Sequence, residues 1–273
     1  IKPPPDSIAV VEKLFHAGDR CTECHGAEGR GDAIKKLKND NGERTWPRNL
    51  TKPWTFRASN GPKDIFERIT AGIPTTQMPS FADPKSKMKL TIEERWHVAN
   101  YVASLAKTEK IVRPENTVIK AVRVDGDLPA QPDDPAWDAA APTTFFMVPQ
   151  IVGKDRFCKT ANDTISVRAL YNNDKISIHL EWDDRTKSIP GDAKAKSIAE
   201  EDLAEDAIAV QFPAALPKGM EKPYFLMGNA ANPVNLWRWS SGATDKPESA
   251  VIVDARGIGD QEIRSDAPGF TAK

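Results

Sequence analysis

The sequence has no run of about 18 apolar residues, so no segment is suited to crossing a membrane as a helix. It has no charge bias either. Lys and Arg total 38 against 39 Asp and Glu, a net charge of −1, without the basic excess that a nucleic-acid partner calls for. Cysteine is scarce, and three cannot build a disulfide scaffold. Hydrophobic residues at 39% and aromatics at 7% are lean for two self-sufficient cores; a buried cofactor would supply the missing apolar bulk. There is no glycine-rich phosphate loop after a strand, no H-E-x-x-H and no G-x-S-x-G, and no carboxylate pair stands out, so no catalytic site of the chain's own is predicted. What is abundant is proline, 22 in 273 residues, which suggests long surface connections. The length suits two domains. The start at Ile1, followed by Lys2 and three prolines, reads as a mature terminus left by removal of a signal peptide, or as a trimmed chain.

Residues 1–112 read as helical. Asp6 or Ser7 can cap a first helix with Ile8, Val11, Leu14 and Phe15 on one face. A second fits Asp64 to Thr70 and stops at Gly72, before Pro74. The third opens on the capping box Thr91-x-x-Glu94 and carries Ile92, Trp96, Ala99, Val102, Ala103 and Ala106. After Lys107 the texture changes. A linker covers about 108–118, and short strands follow. In the clearest, Ile176, Ile178, Leu180 and Trp182 alternate with polar residues behind the turn Asn172-Asn173-Asp174. Ala207–Phe212, Val234–Trp239 and Ala250–Val253 are further strands. No helix–strand alternation is present, so a mainly antiparallel sheet is expected.

One motif carries chemistry. Cys21-Thr22-Glu23-Cys24-His25 is C-x-x-C-H, the pattern of c-type haem attachment. Cys21 and Cys24 would form thioethers to the haem vinyl groups, and His25 would be the proximal iron ligand. A zinc site lacks partners, since the remaining cysteine, Cys158, is far along the chain. A redox dithiol would need a surrounding βαβ pattern. For the sixth ligand, Met78 in Ile73-Pro74-Thr75-Thr76-Gln77-Met78-Pro79 competes with Met88, His16 and His97. His97 falls on the polar side of its helix, where solvation is expected. His16 is close in sequence to the attachment site.

The order of helix, C-x-x-C-H, glycine-rich loop, Ile69-Thr70-Ala71-Gly72, Met78-Pro79 and a last helix ending Tyr101-Val102-Ala103-Ser104-Leu105 resembles class I cytochromes c. The resemblance implies His25 and Met78 as the axial pair.

Farther on come Asp125-Gly126, Pro135-Ala136-Trp137-Asp138-Ala139-Ala140, Leu180-Glu181-Trp182-Asp183-Asp184, Pro223-Tyr224-Phe225-Leu226-Met227-Gly228 and Asn235-Leu236-Trp237-Arg238-Trp239. These resemble the haem b domain of the γ subunits of type II dimethyl-sulfoxide-reductase-family molybdoenzymes. That group includes the ethylbenzene, dimethyl-sulfide and selenate-related enzymes and nitrite oxidoreductase. The resemblance implies a β-sandwich holding a non-covalent haem b between Met227 and Lys273. Lys246 and Met147 are the rival ligands, and Met220 lies in a polar loop. The chain ends where the family continues with further strand. A lysine ligand must bind neutral, which at pH 7 costs about 4–5 kcal/mol from its ordinary pKa, to be offset by apolar burial and iron coordination.

The expected fold is therefore multidomain: an all-α class I cytochrome c domain over 1–112, then a mainly antiparallel β-sandwich haem b domain over 113–273. The resemblance implies an electron-transfer subunit that relays electrons between a molybdenum oxidoreductase and a soluble cytochrome or other acceptor. Its partners would be a catalytic molybdenum subunit and an iron–sulfur subunit, with nitrite oxidoreductase as the nearest type. Two other readings stay open. In one, a cytochrome is fused to a carbohydrate-binding sandwich, with Trp137, Trp182, Trp237 and Trp239 as sugar platforms. In the other, the chain is a stand-alone dihaem cytochrome. c-Type maturation implies a periplasmic or equivalent lumenal location.

Overall fold

A computed structural model describes residues 7–17, 20–32, 35–42, 44–106, 118–148, 164–184, 189–193, 205–216, 218, 226–264 and 272. The chain forms two compact units, Ile1–Arg185 and Thr186–Lys273. Asp6, Cys158, Met220 and Lys273 lie outside the described residues.

The first unit opens with helices α1 (Ser7–His16), α2 (Thr22–His25), α3 (Pro62–Ala71) and α4 (Ile92–Leu105). The capping box at α4 is present in full. Thr91 Oγ1 accepts from the Glu94 amide at 3.1 Å, and the Thr91 amide donates to Glu94 Oε2 at 2.7 Å. Two donors at the helix start are thereby satisfied. Helices α1 and α3 both pack on α4. Val11, Phe15, Ile65, Ile69, Val98, Ala99 and Val102 form the buried centre, which Leu50, Phe81 and Leu90 extend. Phe66 stacks on Trp96 with ring centroids 4.3 Å apart. Arg95 is buried, and its guanidinium donates to Thr70 Oγ1 at 3.0 Å, tying α4 to α3. A short ladder pairs Leu37–Lys38 (β1) with Arg44–Thr45 (β2). Nothing in the sequence pattern marks it, since two residues per strand carry no periodicity.

The composition change near residue 112 falls inside the first unit, which also contains a four-stranded sheet. Its centre is β5 (Thr164–Tyr171). The antiparallel partner β6 (Ile176–Trp182) runs along one edge. On the other edge β4 (Thr143–Phe146) pairs antiparallel with 164–167, and β3 (Val122–Arg123) pairs parallel with Leu170 and Tyr171. The β5–β6 turn is the expected one. Asn172 Oδ1 accepts from the amides of Asp174 and Lys175, at 3.0 and 2.9 Å, the local bonding that makes asparagine a turn residue. Burial follows a different strand from the sequence pattern. Residues of alternating β6 are half-buried or exposed throughout, whereas 164–170 of β5 are all buried. A central strand covered on both faces need not alternate. The polar Arg168 is accommodated there because its guanidinium donates to the Trp137 carbonyl at 3.1 Å.

The second unit is an antiparallel sheet in the order β10–β9–β8–β7, from β7 (Ala207–Pro213), β8 (Val234–Ser240), β9 (Ser249–Ala255) and β10 (Gln261–Ile263). Three of these coincide with the predicted strands to within two residues. Val234, Leu236, Val253 and Ala255 form its buried cluster. Among the described residues, no helix is long and apolar enough to cross a membrane.

Candidate haem sites

The C-x-x-C-H segment is a single helical turn. The His25 amide donates to the Cys21 carbonyl at 2.8 Å, and the Gly26 amide to Thr22 at 2.9 Å. The two thiols, three residues apart, therefore share a face, and neither is in a disulfide. Burial pushes the Cys21 thiol up to about 11, against a smaller lowering by Arg20 and a raising by Cys24. Burial likewise raises Cys24, opposed by Lys35 and assisted by Glu23. Thiols kept neutral in this way tolerate an apolar setting, and a thioether tolerates it at no ionisation cost.

The imidazole of His25 is oriented by a backbone group. Its Nδ1 lies 3.0 Å from the Arg48 carbonyl. A carbonyl only accepts, so the ring proton sits on Nδ1 and the lone pair on Nε2, the tautomer that ligates a metal. Residues 26–31 fold back onto the attachment turn. The Gly31 amide donates to the His25 carbonyl at 2.7 Å, and the Leu50 amide to Gly29 at 2.7 Å.

Met78 is presented by a tight loop after α3. Gly72 has φ +72°, and a Cβ there would lie 2.7 Å from the Pro79 carbonyl carbon and the Ser80 nitrogen, so only glycine fits. Thr75 also adopts positive φ, at 66°. The Ile73 amide donates to the Met78 carbonyl at 3.1 Å, and the Met78 amide to Thr76 Oγ1 at 3.2 Å. Ser80 Oγ donates to the Thr70 carbonyl at 2.7 Å, closing the loop onto α3. Met78 and Cys21 pack against the same buried cluster, as does Met88. Two half-buried thiols on one helical turn, an imidazole of fixed tautomer and a thioether that packs on the same core as Cys21 are a donor set that fits a covalently held haem.

His97 differs from expectation. Its side chain is 15% exposed rather than solvated, its Nε2 lies 3.8 Å from Glu93, and its buried Nδ1 has no hydrogen-bond partner. His16 is exposed on α1.

In the second unit Met227 has φ 55°, a left-handed conformation that non-glycine residues rarely hold, followed by Gly228 at φ 73°. A Cβ on Gly228 would lie 2.7 Å from the Asn232 carbonyl oxygen and 3.0 Å from that of Ala255. The Met227 amide donates to Gln211 Oε1 at 3.2 Å, and its side chain packs on the cluster of Val234, Leu236, Val253 and Ala255. Strain at a chemistry-bearing residue is the kind that surrounding structure must enforce. The rivals Met147 and Lys246 are both exposed. Met147 is 45% exposed after β4, and Lys246 sits exposed in a turn closed onto Ala243. Trp137 is buried, donates to the Gln131 carbonyl at 3.0 Å and stacks on His179, so it belongs to the packing. Among the described residues, no three His, Cys, Asp or Glu side chains are placed to hold a metal ion.

Residues 134–273 match the ethylbenzene dehydrogenase family, a little over half of the chain. The chain belongs to the ethylbenzene dehydrogenase family. Residues 8–106 match the cytochrome c family, so the ethylbenzene dehydrogenase-type domain follows a cytochrome c domain, the kind that holds haem covalently. The chain is 27% identical over 135 residues to the "Putative respiratory nitrate reductase heme subunit ORF7" of Haloferax mediterranei, covering 49% of this chain and 45% of that protein. The chain thus spans less than half the length of that curated relative. A chain of the reducing HAO-like protein complex of Kuenenia stuttgartiensis aligns at 34% identity and a TM-score of 0.35, over 39% of this chain and 47% of that one.

Sequence reasoning missed the Arg48 carbonyl, Asn49 and Gln211. The first is a backbone group and has no signature. The others act through contacts between segments distant in sequence.

Proposed function

We propose that the chain is the electron-transfer haem subunit of a molybdenum oxidoreductase. Cys21 and Cys24 would hold haem c covalently, and His25 and Met78 would ligate its iron. A second, non-covalent haem b would be held within 113–273, with Met227 and Lys273 as the residues that would ligate its iron. When bound, the haems would supply one-electron Fe(III)/Fe(II) couples, suited to a relay between an iron–sulfur subunit beside the catalytic molybdenum subunit and a soluble cytochrome or other acceptor. The protein's own residues fix ligand geometry and exclude water. The Arg48 carbonyl sets the His25 tautomer, and the Gly72–Ser80 loop presents a thioether that favours Fe(II) relative to a second imidazole. Location outside the cytoplasm, where c-type maturation occurs, completes the reading.

One observation carries it: a single chain joins a cytochrome c match at 8–106 to an ethylbenzene dehydrogenase match at 134–273. The name of the Haloferax relative, a nitrate reductase haem subunit, supports the partner class. Within that class we favour a nitrite oxidoreductase type, because a covalent cytochrome precedes the haem b domain. Purification from the native source tests the reading. The chain is expected to travel with large molybdenum and iron–sulfur subunits, and nitrite is expected to reduce its haems in the assembled complex. A chain that purifies alone contradicts the subunit role, and reduction by a different substrate contradicts the nitrite assignment.

A further inference from the structure

The peptide that orients His25 is also the place where the helical part of the first unit meets its sheet. The Arg48 carbonyl, which accepts from His25 Nδ1, shares one rigid peptide plane with the Asn49 nitrogen. Anchoring Asn49 therefore restricts how far that carbonyl can swing, although the peptide plane keeps its freedom about the flanking φ and ψ bonds. The Asn49 side chain is held at both ends. Its Oδ1 accepts from the Thr51 amide at 3.0 Å and from Thr51 Oγ1 at 2.7 Å. Its Nδ2 donates to Asp183 Oδ1 at 3.1 Å, just beyond the end of β6. Both residues are buried, Asn49 at 7% and Asp183 at 6% exposure, so the bond is shielded from water. A second tie lies three residues on. Lys52 Nζ donates to the Trp182 carbonyl at 3.2 Å and pairs with Glu181 at 3.1 Å.

We propose that Asp183 is a positioning residue for the axial histidine: acting through Asn49 on the Arg48 carbonyl, it lets the sheet of the first unit set the electron-donating strength of His25. The inference rests on His25 holding haem iron, as proposed above. A well-aimed carbonyl on Nδ1–H makes the imidazole more basic at Nε2. A more basic ligand stabilises Fe(III) and lowers the reduction potential. Releasing Asn49 from Asp183 lets the carbonyl swing and should raise the potential.

Substitutions in the full chain, with the reduction potential of the covalent haem as readout, test this. Asn49→Asp keeps the oxygen that Thr51 needs but replaces the donor facing Asp183 with a second carboxylate. It should raise the Fe(II)/Fe(III) ratio at a given potential by about tenfold, about 59 mV for a one-electron couple. Asp183→Asn alone keeps an acceptor for Asn49 and should stay close to wild type. The double variant Asn49→Asp with Asp183→Asn restores one donor and one acceptor with the roles exchanged, and should return the potential toward wild type. A purely structural defect would lower stability without moving the potential of the haem that still matures. Asp183→Ala leaves every residue of the helical part intact, should shift the potential in the same direction, and serves if Asn49→Asp does not mature. Wild-type potential in both Asn49→Asp and Asp183→Ala, or no rescue in the double variant, overturns the proposal while leaving the haem reading standing. A wild-type chain without covalent haem overturns that reading and the inference with it.

Discussion

Met78 and Met227 both lie on turns with left-handed backbone at or near them, yet the regions that hold them are built differently. Met78 packs on a cluster to which three helices and two loops contribute, including the large side chains Phe15 and Phe81. Met227 packs on four small or medium side chains from two strands of one sheet. A region of the first kind buries enough apolar surface to order itself, and its cofactor adds to a core that already exists. In the second, among the described residues, the cluster is slight for a four-stranded sheet, and much of its apolar contact must come from whatever lies against it.

The largest effect expected from this contrast is at Met227. Met227→Ala should release the second haem altogether, while the haem at Cys21 and Cys24 stays, as read by the haem extractable into acid acetone. Retention of that haem with an unaltered spectrum would remove Met227 from the ligand set and point to Met147. Core truncations should separate the regions next. Phe15→Ala should destabilise the first region by about 3–5 kcal/mol in denaturant unfolding, with or without a second haem. Leu236→Ala should cost about 2–5 kcal/mol, mostly realised as lost affinity for the second haem. Equal dependence of both on that haem would erase the distinction.

Smaller effects probe the attachment turn and the helix start. In the haem-free chain, Cys21 raised from 9.0 to about 11 should alkylate about 100-fold more slowly near pH 8 than the same cysteine in the unfolded chain, since the thiolate is the reactive form. Burial favours the neutral thiol, so its stabilising contribution is full below about pH 9 and is lost as pH rises through about 11. Alkylation at the unfolded rate would mean that the thiol is not buried. Thr91→Ala should cost about 1 kcal/mol of unfolding free energy by removing one half of the capping box, without moving either haem spectrum.

Much of this organisation was legible in the sequence where local chemistry decides it. The capping box at Thr91 and Glu94, the Asn172 turn and the glycine stop at Gly72 each follow from bonding within a few residues. C-x-x-C-H is legible for the same reason. The pattern misled where tertiary cover decides. The alternation in β6 marks a half-buried strand, while β5 is buried on both faces. The helical pattern puts His97 on a polar face, yet its side chain is largely buried. The clamp from Asp183 through Asn49 to the Arg48 carbonyl joins positions 134 apart through a backbone oxygen, and no spacing rule reaches it.

The most direct test of the central claim is a haem count on the purified full chain, by pyridine haemochrome before and after acid-acetone extraction. The account predicts two haems per chain, of which one is extracted and one stays bound to the polypeptide at Cys21 and Cys24. A single, non-extractable haem would contradict it and leave a cytochrome c domain joined to a domain without a cofactor of this kind.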